Sequence, residues 1–271
     1  MPEARTVVMA PSAARRQHRV DRWFYISAGL FVIFLSVVGF GPSIVDQSRR
    51  NGPHTPVVIA HGIVTVAWLL LFLTQATLVA TRRTAVHRRL GIVGPLLAVV
   101  VIVLGYLMII EGGRRGYELS GDLTRAFTPP GSPPRSAAEL ATGLLIPLSS
   151  FISFGVLVAA GLWYRHRPDI HKRFMLLALT PLVGEPIVHL IGHLAGRWPA
   201  FQGAAIFAQP FGLIFLFASA IYDKVSQGRV HPVSLWVPIL VIVWGTVMNL
   251  VVGPSVAWRE FAVWLIGRPI G

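Results

Sequence analysis

The chain has 271 residues, of which 54% are hydrophobic and only 13% charged; a soluble globular domain carries about twice that charge fraction. Its formal charge of +13 comes from basic residues clustered between apolar runs, a pattern that orients membrane spans and meets lipid headgroups, not nucleic acid. With no cysteine, disulfides, thiolate metal sites and cysteine nucleophiles are excluded.

The pattern predicts an all-α polytopic bundle of seven transmembrane helices over 23–254. A basic cytoplasmic tail (1–22) precedes it and a short interfacial segment (255–271) follows. The tail carries Arg5, Arg15, Arg16, Arg19 and Arg22. The apolar run after it, 24–44, is too long for the core of a signal peptide and lacks a small-residue cleavage site, so it reads as the first span. Trp23 and Tyr25 mark its interface, and Pro42 with the SRRNGPHTP stretch ends it.

The second span, 56–80, carries His61, Trp68 and Gln75, the last a candidate for hydrogen bonding between helices. The loop TRRTAVHRR leads to the third span, 90–110. The Gly- and Pro-rich stretch 111–139 is too polar to cross and is expected to be an external lid or irregular surface segment. The fourth span, 140–163, contains Pro147 and Ser149-Ser150, a serine pair with no visible base. YRHRPDIHKR then leads to the fifth span, 172–195. The sixth, 203–222, contains Gln209-Pro210, and the seventh, 233–252, contains Trp244 and Asn249. Beyond Pro254, Trp258, Phe261, Ala262 and Leu265 recur at helical spacing, as in a helix lying on the membrane surface.

The tail and the loops after spans two, four and six hold 15 of the 24 Lys and Arg residues. The amino terminus is therefore expected in the cytoplasm. Two of these loops match: Arg83-Thr-Ala-Val-His87-Arg-Arg-Leu reads against Arg167-Pro-Asp-Ile-His171-Lys-Arg-Phe, 84 residues on. Spans two–three and four–five thus read as two parallel copies of one hairpin.

The chemistry concentrates in HKRFMLLALTPLVGEPIVHLIGH, residues 171–193. At about 100° per residue His171, Glu185, His189 and His193 fall within roughly 40° of one line. Ionisable groups in hydrocarbon are costly, face the bundle interior and mark function. By depth they form two layers. The outer layer is His61, Glu185, His189, His193, Gln209 and Asn249, where Pro181 and Pro186 loosen the helix. The inner layer is His87 and His171 among arginines.

HGIVTVAWLLLFLTQATLVATRRTAVHRRLG together with RPDIHKRFMLLA resembles a widespread family of uncharacterised bacterial multi-pass membrane proteins. That resemblance implies a fold and the bacterial inner membrane, without an activity. A weaker resemblance is to haem proteins of the cytochrome b561 type, with histidines on neighbouring spans near both membrane faces. It implies that the ligands come from His61, His87, His171 and His189 or His193.

Three chemistries remain open for the outer layer. A haem b needs two imidazoles from facing helices, His61 with His189 or His193, with Glu185 tuning the centre. That function is electron transfer with a quinone or another redox partner. A zinc site of intramembrane-hydrolase type would use His61, His189 and His193; Glu185 and His193 are too far apart along the helix to share one ion. A proton-coupled carrier would use Glu185 and the histidines as a relay. For the inner layer the leading expectation is contact with lipid phosphates. The alternative is a second haem between His87 and His171, with Arg83 or Arg167 near its propionates.

Overall fold

Leucine-, valine- and phenylalanine-rich runs without internal breakers favour long helices, because in hydrocarbon each backbone N–H and C=O must be satisfied within its own segment. The computed structural model describes residues 11–116, 118–129, 131 and 137–267, without the side chains of 11–22, 49, 137–140, 207 and 209. Arg5, the end of the TPPGSPP stretch, the side chain of Gln209 and residues 268–271 lie outside it. No strand occurs among the described residues.

Seven segments are long and apolar enough to cross a membrane. The first is α1 (Pro11–Val45), so helix begins within the basic tail and continues unbroken into the span. The second is α2 (Pro56–Ala80), opened by Pro56 in its first turn and by Thr55, whose hydroxyl accepts from the Val58 N–H at 3.4 Å. A short α3 (Thr84–Leu90) then precedes α4 (Val93–Arg115), which stops at Gly116 with φ 85°. The long loop contains α5 (Asp122–Phe127), and the fourth span is formed by α6 (Ala137–Trp163).

The fifth span is two helices, α7 (Pro168–Leu177) and α8 (Pro181–Ala195). Pro181 has no N–H to continue the ladder, and the chain crosses the break on tighter bonds, Leu179 N–H to Leu176 and Thr180 N–H to Leu177, both 3.0 Å. The last spans are α9 (Ala208–Gln227) and α10 (Pro232–Val247), the latter extended by a π turn over Met248–Val252 that holds Asn249. Finally α11 (Val256–Ile266) packs along α6 and α4. Trp258 and Ala262 are buried there, and the Trp258 indole N–H donates to the Ala141 carbonyl at 2.8 Å.

Burial sorts the spans. Within its most apolar window the fifth span is 56% buried and the seventh only 6%, so α7 and α8 form the centre and α10 lies at the rim. Trp68, Phe154, Leu176, Leu179 and Val183 are among the most enclosed core side chains. Two close crossings fix α8. A methyl on Gly39 of α1 would run into the Pro186 carbonyl, and one on Gly192 would run into the backbone of Asp122 in α5. The segment expected to be a lid or an irregular stretch thus contains a helix seated on α8.

At the opposite end a buried ion pair ties α7, α9 and α10 together. Arg173 and Asp223, whose side chains are 3% and 1% exposed, meet side-on, with Arg173 Nη2 donating to Asp223 Oδ1. Arg173 Nε also donates to Asp223 Oδ2 at 3.1 Å and to Ser234 Oγ at 3.0 Å. The Ser234 hydroxyl donates to Asp223 Oδ2 at 2.7 Å, and the His231 N–H donates to the same oxygen at 3.2 Å.

Candidate functional site

The polar residues gather at the two ends of the bundle. At the basic end, α3 and α7 both start from an arginine N-cap, Arg83 and Arg167. His87 and His171 each stand four residues beyond that cap, so the sequence repeat becomes a repeat of position. Their rings face one another across the two helices, centroids 6.3 Å apart and planes at 76°. His171 Nδ1 lies 2.7 Å from the Gly161 carbonyl, so that nitrogen carries a proton and donates it to the carbonyl. His87 Nδ1 is buried with no hydrogen-bond partner among the described residues. Burial, and then the charge of His171, hold His87 below the usual imidazole range, which favours the neutral ring.

At the loop end the site is built on the docking of α5. Asn51 tethers the loop through its N–H to the Leu119 carbonyl at 2.7 Å and its side-chain amide to the Glu118 carbonyl at 2.9 Å. Arg125 joins α5 to α8. Its Nη2 donates to Asp122 Oδ1 at 2.7 Å and to the Ser120 carbonyl at 3.0 Å, and its Nε donates to the Gly192 carbonyl at 3.2 Å. His189 is buried beneath them against Phe40, ring centroids 4.6 Å apart. Its Nδ1 lies 3.3 Å from Ser120 Oγ and 3.5 Å from Asp122 Oδ2. Burial alone would raise the Asp122 carboxyl; the hydrogen bonds and charges of His189 and Arg125 outweigh it and hold the group below the usual carboxylate range.

The contacts of His189 with Ser120 and Asp122 run through Nδ1, and the side chain as a whole is 11% exposed. One turn deeper stands Glu185. Its side chain is exposed, yet Pro181, Leu182, Val188, His189 and Gly192 on the same face of α8 are buried or half-buried. His189 and Glu118 lie within electrostatic reach of its carboxylate. Beside it, a Cβ on Gly184 would meet no atom within 4 Å. Glu185 and Gly184 thus lie on a part of α8 that no other described element covers. Glu118 accepts from the Ser120 N–H through Oε1, while its Oε2 is buried without a partner. Nearby His54 is held below the usual imidazole range by burial first and by Arg50 next.

The outer layer is therefore assembled differently from the expectation. Glu185 and His189 are together, and His193 follows half-buried in the last turn of α8. His61 is elsewhere. It packs edge to face on Phe151 of α6 at 5.6 Å, within 3.4 Å of Thr65, and α2 is flanked chiefly by α1, α3 and α4. Asn249 is exposed on the rim helix. Among the described residues no three His, Asp or Glu side chains converge as ligands for one metal ion. Ser120, His189 and Asp122 are not arranged as a hydrolytic triad, because hydroxyl and carboxylate approach the same ring nitrogen.

The fold and these two ends define a membrane-spanning helical bundle of seven spans with a histidine pair at one end and a histidine–carboxylate site at the other. Comparison with protein-family models, curated proteins and solved structures found no match.

Proposed function

We propose that the protein binds haem b between His87 and His171 and passes electrons at the basic end of the bundle, in the inner membrane of a bacterium. The observation that carries this reading is the facing of the two rings. Two imidazoles on one iron stand with centroids about 6 Å apart, from a metal–nitrogen bond of about 2 Å and a ring radius of about 1.1 Å; the rings here are 6.3 Å apart. The donor set fits as well. His171 is oriented by the Gly161 carbonyl, the outer-shell contact that metal-bound histidines ordinarily make, and the buried Nδ1 of His87 has no hydrogen-bond partner among the described residues. Bound haem would supply one-electron chemistry, and a quinone or a soluble redox protein at the same membrane face would be its partner.

A haem shared by His61 and His189 has less support, since His61 faces α4 and α6 while His189 faces α1 and α5. A zinc hydrolase using His61, His189 and His193 has less again, with no ligand triplet among the described residues. The test is the reduced-minus-oxidised spectrum of protein purified from haem-sufficient cells. A low-spin Soret band should appear, should be lost in His87→Ala and in His171→Ala, and should persist in His61→Ala. Wild-type protein without Soret absorption would overturn the proposal.

A further inference from the structure

We propose a second site, independent of haem: Asp122, His189 and Glu185 form a proton-uptake site through which Glu185, inside the fifth span, exchanges protons with the water at the loop end. Three observations on different elements point the same way. Asp122, only 2% exposed, has its first oxygen held by Arg125, while its second, without a hydrogen-bond partner among the described residues, lies 3.5 Å from His189 Nδ1. A carboxylate beside Nδ1 fixes the proton there and raises the basicity of Nε2. The contacts of the ring with Ser120 and Asp122 both run through Nδ1, which leaves Nε2 as the nitrogen turned from them. Glu185 stands one turn deeper on the same helix, exposed and within electrostatic reach of His189.

The transfer balances without a co-reactant. A hydronium ion at the loop end gives its proton to Nε2 and leaves water. The imidazolium so formed is stabilised by Asp122. Its Nε2–H then passes to the Glu185 carboxylate, directly or through one water, leaving a carboxylic acid and a neutral imidazole. Several other ionisable groups lie at this end of the bundle. Glu118, Asp122 and Arg125 come from the loop, Arg50 and His54 from the segment before α2, and His193 from α8 itself. Among the described side chains α1 and α9 bring no ionisable group to this level, since the charged residues of α9, Asp223 and Lys224, lie at its far end; α6 carries Glu139 in its first turn, outside the described side chains. An orienting role for Asp122 explains why the loop is fastened so heavily. Arg125 spans Asp122, Ser120 and Gly192, and Gly192 allows the backbones to touch.

The experiment is infrared difference spectroscopy of the full-length protein in lipid vesicles after a jump to lower pH. A protonated-carboxyl band should appear, should vanish in Glu185→Gln and should survive in Glu185→Asp. In His189→Gln the same band should form at least tenfold more slowly, and in Asp122→Asn also more slowly, while His61→Ala leaves its rate unchanged. A merely structural role for His189 would not slow the band in protein whose melting temperature is unaltered. A band that persists in Glu185→Gln overturns the proposal. So does a correctly folded His189→Gln protein with an unchanged rate, which would mean that Glu185 is reached another way.

Discussion

His87 and His171 stand 84 residues apart in sequence and face one another at 6.3 Å, each four residues beyond an arginine that caps its helix. Two copies of one local motif have thus been brought ring to ring. Because burial already holds His87 below the ordinary value of 6.5, its folded form resists protonation while the unfolded chain accepts a proton. The unfolded state therefore binds more protons below about pH 6.5, and stability rises with pH there. His54 shifts in the same direction. Thermal melts should show the protein losing stability as pH falls from about 7 through 6.5 and below. His87→Phe, where it folds, should flatten that dependence; an unchanged slope would separate it from His87.

Arg173 and Asp223 lie on different helices, and each is nearly fully enclosed. Removing one partner leaves a buried, uncompensated charge, which costs about 3–5 kcal/mol. Arg173→Met or Asp223→Leu alone should therefore destabilise strongly in equilibrium unfolding from mixed micelles. The double variant should recover most of the loss, because two apolar groups of similar size leave no orphan charge. A double variant as unstable as the sum of the singles would show that Ser234 and His231 depend on Asp223 more than on the pair.

Seven spans, their approximate limits and the match of the two basic loops were legible because each rests on local pattern: long apolar runs, interfacial arginines, Pro and Gly at the ends. The pairing of helices was not. His61 lies at the right depth to oppose His189, yet depth says nothing about which neighbour a residue faces, and the face of α2 that bears His61 looks to α4 and α6. The partners of His189 were hidden for another reason. Ser120, Asp122 and Arg125 sit in a Gly- and Pro-rich loop, where composition reads as irregular surface. The spacing Ser-Gly-Asp-x-x-Arg carries a local signal, a turn followed by a short helix with an acid and a base one turn apart. What the sequence does not carry is that this helix seats on α8. Arg173 was likewise read with its basic neighbours as a headgroup contact, while Asp223, 50 residues on, takes it into the core.

Orientation is a separate matter from fold. The Lys and Arg count puts the His87–His171 end in the cytoplasm and α5 outside. Single cysteines introduced at Arg83, Arg167 and Lys224 should react with a membrane-impermeant maleimide only after the cells are opened. One placed at Gly112 should react in intact cells. Labelling at Arg83 in intact cells would reverse the assignment and send the proton site to the cytoplasmic face.

The docking of α5 on α8 rests on a backbone approach that only glycine allows, since a Cβ at Gly192 would occupy the position of the Asp122 carbonyl. Gly192→Val should therefore push the loop helix away while leaving the spans in place, because the remaining contacts of α8 with α1 run through Gly39 and Pro186, two turns deeper. The chain has no native cysteine, so one introduced at Ser120, a residue 3% exposed, reports on docking alone. Its reaction with a soluble maleimide should be slow in the parent. In Gly192→Val it should rise by at least tenfold, the displacement of an equilibrium by about 1.4 kcal/mol. Arg125→Ala, which removes the side-chain bridge but not the backbone fit, should give a smaller rise. Equal reactivity in all three would mean that neither Gly192 nor Arg125 holds the loop down.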